Sequence, residues 1–586
     1  MATRLKPVDV VTIGVGWAGS ILAKELAQTG LKVVGLERGG DRNQADFALP
    51  QMHDQLKYDR QLELFENLSR TTLTFRNDYR ETARPMRRHG PFPWGEGVGG
   101  AGFHWAGWTW RHTPWDFKIR TRTIERYGAQ AIPESSTIED WPMTYDDLEA
   151  SYDRFEYTCG LSGTAGNVKG TIKPGGNPFE GPRAREFPNP PLARTYGETL
   201  FAKAATDLGY HPFPVPAAQM SRPYTNPDGV TLGPCLYCGY CMNYACEVSA
   251  KSTPQTTTLP AALKTGNFEI RTRAAVTRIN VSGNRATSVT YIDAQGRELE
   301  QPADLILLTA FTWGNAHLLL VSGIGKPYDP ATSTGVVGKN YSWHGGLPYV
   351  PLNFDKDVVT NPFMGAGAVC TSIADFQGDN FDHSGLGFIG GAIIQAMGMG
   401  WGPLTYQPTP PGTPAWGSAW KKSVAHYYTR SMQLIGLHDN LSYRGNYLSL
   451  DPTYRDVWGN PLLRLTFDFG SNEKKMTPFL VATGEKLAKA MRATHSASYG
   501  LPDHFDGGGP YGIIHQVGGA ITGSDPTNSV VNRYLQSWDV PNLFVVGASA
   551  FPQIPSFNPT GTVGALAFWT ADAIKTQYLK KPGPLV

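Results

Sequence analysis

The chain has 586 residues, 41% of them hydrophobic and 17% charged, which suits a globular protein of about two to four domains. Lys plus Arg number 52 against 50 for Asp plus Glu, a balance that gives no purchase to nucleic acid or an anionic membrane surface. No apolar run reaches the roughly 18 residues of a membrane helix, and the N-terminus enters a strand without the stretches of a secretory leader, which taken alone reads as cytoplasmic. The first predicted element is a β-branched strand at 8–13. Gly14, Gly16 and Gly19 follow in G-x-G-x-x-G spacing, then a helix over 18–29 with Ile21, Leu22 and Leu26 apolar, and a second strand over 32–36 that ends at Glu37. Gly14 permits the tight turn, Gly16 lets a pyrophosphate approach the backbone, and Gly19 lets helix pack on strand. The helix N-terminus offers unpaired N–H groups to phosphate, and Glu37 can accept from ribose hydroxyls, which favours FAD or NAD over NADP.

Further along come a second glycine patch, GEGVGGAGFHWAGWTW at 95–110, and a Gly/Pro-rich loop over 160–196 that reads as a surface excursion. Four of the six cysteines then fall together, Cys235, Cys238, Cys241 and Cys246, in C-x2-C-x2-C-x4-C spacing. Short intervals of this kind wrap thiolates around a single iron–sulfur cluster. Zinc sites more often pair two C-x2-C knuckles a dozen or more residues apart, and disulfides strain across such short loops; zinc, disulfides and free thiols are the weaker alternatives. Cys159 and Cys370 stand alone and read as buried small hydrophobes. A strand, turn and helix are predicted at 308–325, and strands in NYLSLDP and LLRLTFDF suggest a mixed sheet within 345–500. The C-terminal blocks are HQVGGAITGSD at 515–525 and a strand–turn–helix run at 542–574. The 15 Trp residues suit sugar stacking or a large core.

Taken in order, these blocks resemble the glucose–methanol–choline (GMC) flavoprotein oxidoreductases, over more than half the chain. The resemblance implies an α/β fold: a Rossmann-like FAD-binding domain with an inserted substrate domain on a mixed or antiparallel sheet. The expected division is 1–110, 253–344 and 501–586 for FAD, 111–230 and 345–500 for substrate, and 231–252 for the cysteine segment. His515 matches the catalytic histidine of the family and Asn558 its second position. A neutral imidazole can take a hydroxyl proton while hydride leaves carbon, and an amide orients the oxygen without titrating. GGAGFHW resembles the flavin-linking segment of pyranose oxidases, so Gly99, Gly100 and His104 are placed at the flavin, with His104 bonded covalently to it or in contact. Val276 is placed beside the adenine. VVGAS at 545–549 lacks the acid many relatives carry, which leaves pyrophosphate to the backbone of Gly547 and Ala548.

The cysteine block resembles the large subunit of membrane-bound gluconate 2-dehydrogenases, which share a branch with FAD-dependent sugar dehydrogenases, although the FAD-glucose dehydrogenases there space their cysteines differently. That branch implies FAD with a [3Fe–4S] cluster, favoured over [4Fe–4S], a small partner subunit that carries the export signal, and a cytochrome c or quinone acceptor. It moves the expected location to the periplasm. The expected reaction is oxidation of a hydroxyl on a sugar, sugar acid or polyol. The rivals are an oxygen-using oxidase with a structural zinc site and a non-catalytic electron-transfer subunit. A gluconate carboxylate would want a cation, for which Arg430 and Arg444 are candidates.

Overall fold

The computed structural model describes residues 2–42, 46, 55–87, 95–345, 348–355, 357–361, 365, 370–397, 404, 406–506 and 514–585. Its first sheet is built around β1 (Val8–Ile13), whose Val10, Val11 and Ile13 are buried. β2 (Val33–Leu36) pairs parallel to β1, and the crossover between them is α1 (Trp17–Ala27). The chain returns to this sheet some 230 residues later. β3 (Phe268–Arg271) adds to the outer edge of β2; β4 (Ala275–Ser282) and β5 (Arg285–Ile292) then form an antiparallel meander. β6 (Glu298–Leu308) is long enough to serve both patterns: residues 298–302 pair with β5, while 303–308 run parallel to β1. α2 (Phe311–Ser322) follows, and β7 (Leu543–Val545) closes the parallel set against β6 before α3 (Thr560–Ala573). The parallel order is therefore β3-β2-β1-β6-β7, a doubly wound sheet whose strand ends meet near α1 and α3. Its strands are apolar almost throughout, as a sheet buried on both faces demands.

The second sheet is antiparallel and lies in the second half of the chain apart from one edge. Strands His495–Ser496, Tyr349–Asn353, Ser431–His438, Ala392–Met397, Cys370–Ile373 and Phe213–Pro214 pair in that order. Alternation sorts its two faces. Ile394, Ala396 and Leu434 pack on the helix Ser471–Ala490, and Cys370, Ile393, Met397 and Leu437 face Trp108, Trp110 and Phe557. The strands expected from NYLSLDP and LLRLTFDF form at Tyr447–Arg455 and Pro461–Thr466. They do not join this sheet but make a small one with Leu73–Arg76. No helix among the described residues is long and apolar enough to cross a membrane.

Candidate active site

One cavity runs along the carboxyl ends of the parallel strands. Gly14, Gly16, Glu37, Gly100, His104, Val276, Gly547, Ala548, His515 and Asn558 all line it; of the expected catalytic and cofactor residues Gly19 and Gly99 do not, and neither do the four clustered cysteines. The glycines show why. Gly14 has φ 91°, and a Cβ there would stand 2.8 Å from the Thr309 carbonyl. A Cβ on Gly19 would stand 2.1 Å from the Gly14 carbonyl, so this glycine serves packing, as expected. A Cβ on Gly16 would meet nothing closer than 3.8 Å; the space it would take belongs to the cavity. Gly16 is also the N-cap of α1 and brings no side-chain cap, which leaves the N–H groups of that helix start open to an anion. Gly99 has φ 91° and packs on Gln255, so it shapes the loop rather than the cavity wall.

Glu37 marks the adenosine end with Ala274, Ala275 and Val276. Its carboxylate accepts from the Val15 N–H at 3.1 Å and the Gly39 N–H at 2.9 Å, and burial raises its pKa above the usual carboxylate value. Two oxygens carry about four acceptor positions, so room for ribose hydroxyls is left. At the other end His104 is buried, pushed down to about 3 by desolvation, and its Nε2 has no hydrogen-bond partner. An orphaned ring nitrogen, a phosphate cradle and a carboxylate in one cavity wall together fit a dinucleotide.

His515 and Asn558 line the same cavity. His515 comes from the strand Ile514–Val517, which pairs with Ser342–His344. Ser342 opposes Val517 and His344 opposes Ile514, so the His515 strand carries one residue more than its partner over the same span. His515 takes up that bulge with φ 63°, left-handed backbone that a histidine seldom adopts. Its Nε2 lies 3.1 Å from Asn558 Nδ2, and its Nδ1 lies 2.8 Å from His344 Nδ1. Trp110 Nε1 donates to Asn558 Oδ1 at 2.8 Å. An indole only donates, so it fixes the amide with oxygen toward Trp110 and nitrogen toward His515. Burial pushes the His515 pKa down to about 3. His344 went unnoticed in the sequence, and Trp110 stood out only as the end of the 95–110 patch; no spacing links either to His515 or Asn558, and pairing of distant segments alone brings them there.

Arg430 and Arg444 do not line the cavity. Arg430 donates to the His426 carbonyl at 2.9 Å, and Arg444 is exposed.

The four clustered cysteines share one loop, with Cys241 buried, the other three half-buried and none in a disulfide. Burial and then Cys241 push Cys235 up to about 12, and burial pushes Cys241 up to about 11. Among the described residues no three His, Cys, Asp or Glu side chains are grouped as a metal ion needs. The donor set suits an iron–sulfur cluster, but the arrangement of the sulfurs here is not that of a closed site. The loop nevertheless reaches the cofactor cavity, where Met242 and Asn243 line the wall and the Asn243 N–H donates to the His104 carbonyl at 2.9 Å.

A doubly wound sheet, a dinucleotide cavity and a His–Asn pair in its wall define a flavin-dependent oxidoreductase of alcohols. Comparison with known proteins agrees. GMC oxidoreductase profiles match residues 224–345 and 442–567. The chain is 48% identical, over 100% of its length and 96% of the relative, to a gluconate 2-dehydrogenase flavoprotein of Pantoea cypripedii. It is 27% identical, over 98% of this chain and 99% of the relative, to the fructose dehydrogenase large subunit of Gluconobacter japonicus. Among solved structures, formate oxidase of Aspergillus oryzae matches at TM-score 0.63 and 15% identity, covering 99% of both chains, which shows the shared fold. The chain belongs to the GMC oxidoreductase family and is an FAD-dependent enzyme acting on CH–OH donors.

Proposed function

We propose that this enzyme is a dehydrogenase that oxidises a hydroxyl of a sugar acid, sugar or polyol, with gluconate as the first substrate to try. The observation that carries the reading is the His515–Asn558 pair in the cavity wall, in a chain alike along its whole length to a gluconate 2-dehydrogenase flavoprotein. Bound FAD supplies the hydride acceptor. His515 supplies the base: held neutral by its surroundings, its Nε2 can take the hydroxyl proton once the substrate oxygen replaces the Asn558 N–H there. Asn558, anchored by Trp110, has a second N–H for the same oxygen and holds it in line. His104 is the residue through which we propose the flavin is held. Acid precipitation decides the kind of hold: flavin that stays with the protein is bonded covalently, and flavin that washes away is in contact only.

In this reading Cys235, Cys238, Cys241 and Cys246 would hold an iron–sulfur cluster, which would supply one-electron transfer toward a cytochrome c or quinone. Two observations support the route. The loop joins the cavity wall at Met242 to the surface at Leu236, which is 62% exposed. Beneath it lies the fully buried Lys251, whose pKa desolvation lowers to about 8 against the opposing pull of Cys241, Cys246 and Cys238, and an anionic site in the loop would complement its charge. A partner subunit and a periplasmic location complete the proposal.

The test is anaerobic mixing with gluconate, fructose and simple diols while the flavin absorbance is followed, together with iron analysis and electron paramagnetic resonance. Bleaching by one substrate that disappears in His515→Ala supports the dehydrogenase. A resonance in the oxidised protein that is lost on reduction supports three irons, and one that arises only on reduction supports four. Iron-free protein that consumes oxygen as it turns over would instead establish an oxidase.

A further inference from the structure

We propose that His344 is a positioning residue that fixes the tautomer of His515, leaving its Nε2 lone pair free for the substrate proton. The inference rests on His515 being the base and goes beyond that assignment.

The hydrogen-bond chain admits one neutral assignment. His344 Nε2 lies 2.7 Å from the carbonyl oxygen of Pro555, which can only accept, so this nitrogen carries hydrogen. In a neutral imidazole the other nitrogen is then an acceptor, and the nitrogen 2.8 Å from His344 Nδ1 is His515 Nδ1. His515 Nδ1 must therefore donate, which leaves His515 Nε2 as a lone pair. At that atom stands Asn558 Nδ2, a donor whose identity Trp110 fixes from the far side of the amide. All four contacts agree, and reversing any one puts two donors or two lone pairs face to face.

The position makes the constraint firm. His344 is fully buried, and its neighbours His438, His112 and His515 all disfavour added positive charge. Its strand is tied to the His515 strand by the bulged pairing, so the two rings meet with centroids 5.1 Å apart at 88°. On turnover the substrate O–H bond breaks and an Nε2–H bond forms on His515. Its Nδ1–H already points at the His344 lone pair, so the imidazolium is held by a hydrogen bond rather than left bare.

Two substitutions test this. His344→Gln keeps one acceptor and one donor; His344→Leu keeps neither. Each is purified with flavin, its melting temperature and flavin content are compared with wild type, and flavin reduction is timed with the substrate that reduces wild type fastest. The Leu variant is expected to lose about 10²-fold or more in kcat with KM within about 3-fold, and the Gln variant to recover to within about 10-fold of wild type. Nitrogen-15 spectra of histidine-labelled protein should show His515 protonated at Nδ1 in wild type and mixed in the Leu variant. A Leu variant as fast as wild type overturns the proposal. So does a folded, flavin-loaded Gln variant as slow as the Leu one. If His515→Ala keeps its activity, the failure lies with His515 as base.

Discussion

Lys251 Nζ donates to the carbonyl oxygen of Cys241 at 2.8 Å, deep under the cysteine loop. The same ammonium donates to Tyr244 at 2.7 Å and to Trp105, in the flavin loop, at 2.8 Å. One side chain thus clamps the segment expected to carry electrons to the segment expected to cradle the flavin. Lys251→Met would leave two buried carbonyls and a partly buried one short of a donor, each buried one worth about 1–3 kcal/mol when unsatisfied. The expected outcome is a lower melting temperature together with loss of bound flavin, read from the ratio of flavin to protein absorbance. A variant that melts lower yet keeps its full flavin would show that the clamp serves stability alone.

The glycines of the first turn separate cofactor binding from folding. Gly16→Ala adds a methyl group where no protein atom lies within 3.8 Å, on backbone with φ −82° that alanine tolerates. It should fold normally and bind FAD weakly. Gly19→Ala drives its methyl group to 2.1 Å from the Gly14 carbonyl and should lower the melting temperature even of flavin-free protein. Flavin titration of the stripped proteins, with melting curves beside it, checks both.

These glycines are also where the sequence was most legible. Gly14, Gly16, Gly19 and Glu37 carry their geometry in local spacing, since turn, helix start and strand end follow one another within 24 residues. The same holds for β7 and α3, and for His515 and Asn558 once the family resemblance is granted. What spacing could not show is anything made by long-range pairing. His344 reaches His515 across 171 residues, and Trp110 reaches Asn558 across 448. The strands of NYLSLDP and LLRLTFDF were legible as strands and the mixed sheet expected of them forms, antiparallel between the two and parallel from Pro461–Thr466 to Leu73–Arg76, but that last partner comes from the first eighty residues and no local spacing points to it.

Trp110→Phe is the mildest probe of the catalytic geometry. It removes only the indole N–H that holds Asn558 Oδ1, in a wall where Phe213 and Phe557 already pack against the ring. The amide can then rotate, and its oxygen competes for the place that the nitrogen holds beside His515. A lost buried hydrogen bond of about 1–1.5 kcal/mol corresponds to about a 5- to 10-fold fall in the rate of flavin reduction, with melting temperature nearly unchanged. Rapid-mixing kinetics under anaerobic conditions measures it, and an unchanged rate would mean that the amide is held by something other than Trp110.

His112 allows a pH test that involves no chemistry. It is fully buried among Phe117, Trp141 and Phe551, neither ring nitrogen has a hydrogen-bond partner, and desolvation pushes its pKa from 6.5 down to about 3. The folded protein therefore keeps this ring neutral, whereas the unfolded chain protonates it below pH 6.5. Protons favour the unfolded state throughout that window, so stability falls as pH drops from 6.5 toward 3, by about 1.4 kcal/mol per pH unit for this one group. His112→Phe abolishes the effect and removes the unpaired nitrogens. The stability gained over wild type should be modest at pH 7 and greater by about 2 kcal/mol at pH 5. Melting curves of the two proteins across that range measure the gap, and a gap that stays constant with pH would show that His112 is charged or solvated in the folded state.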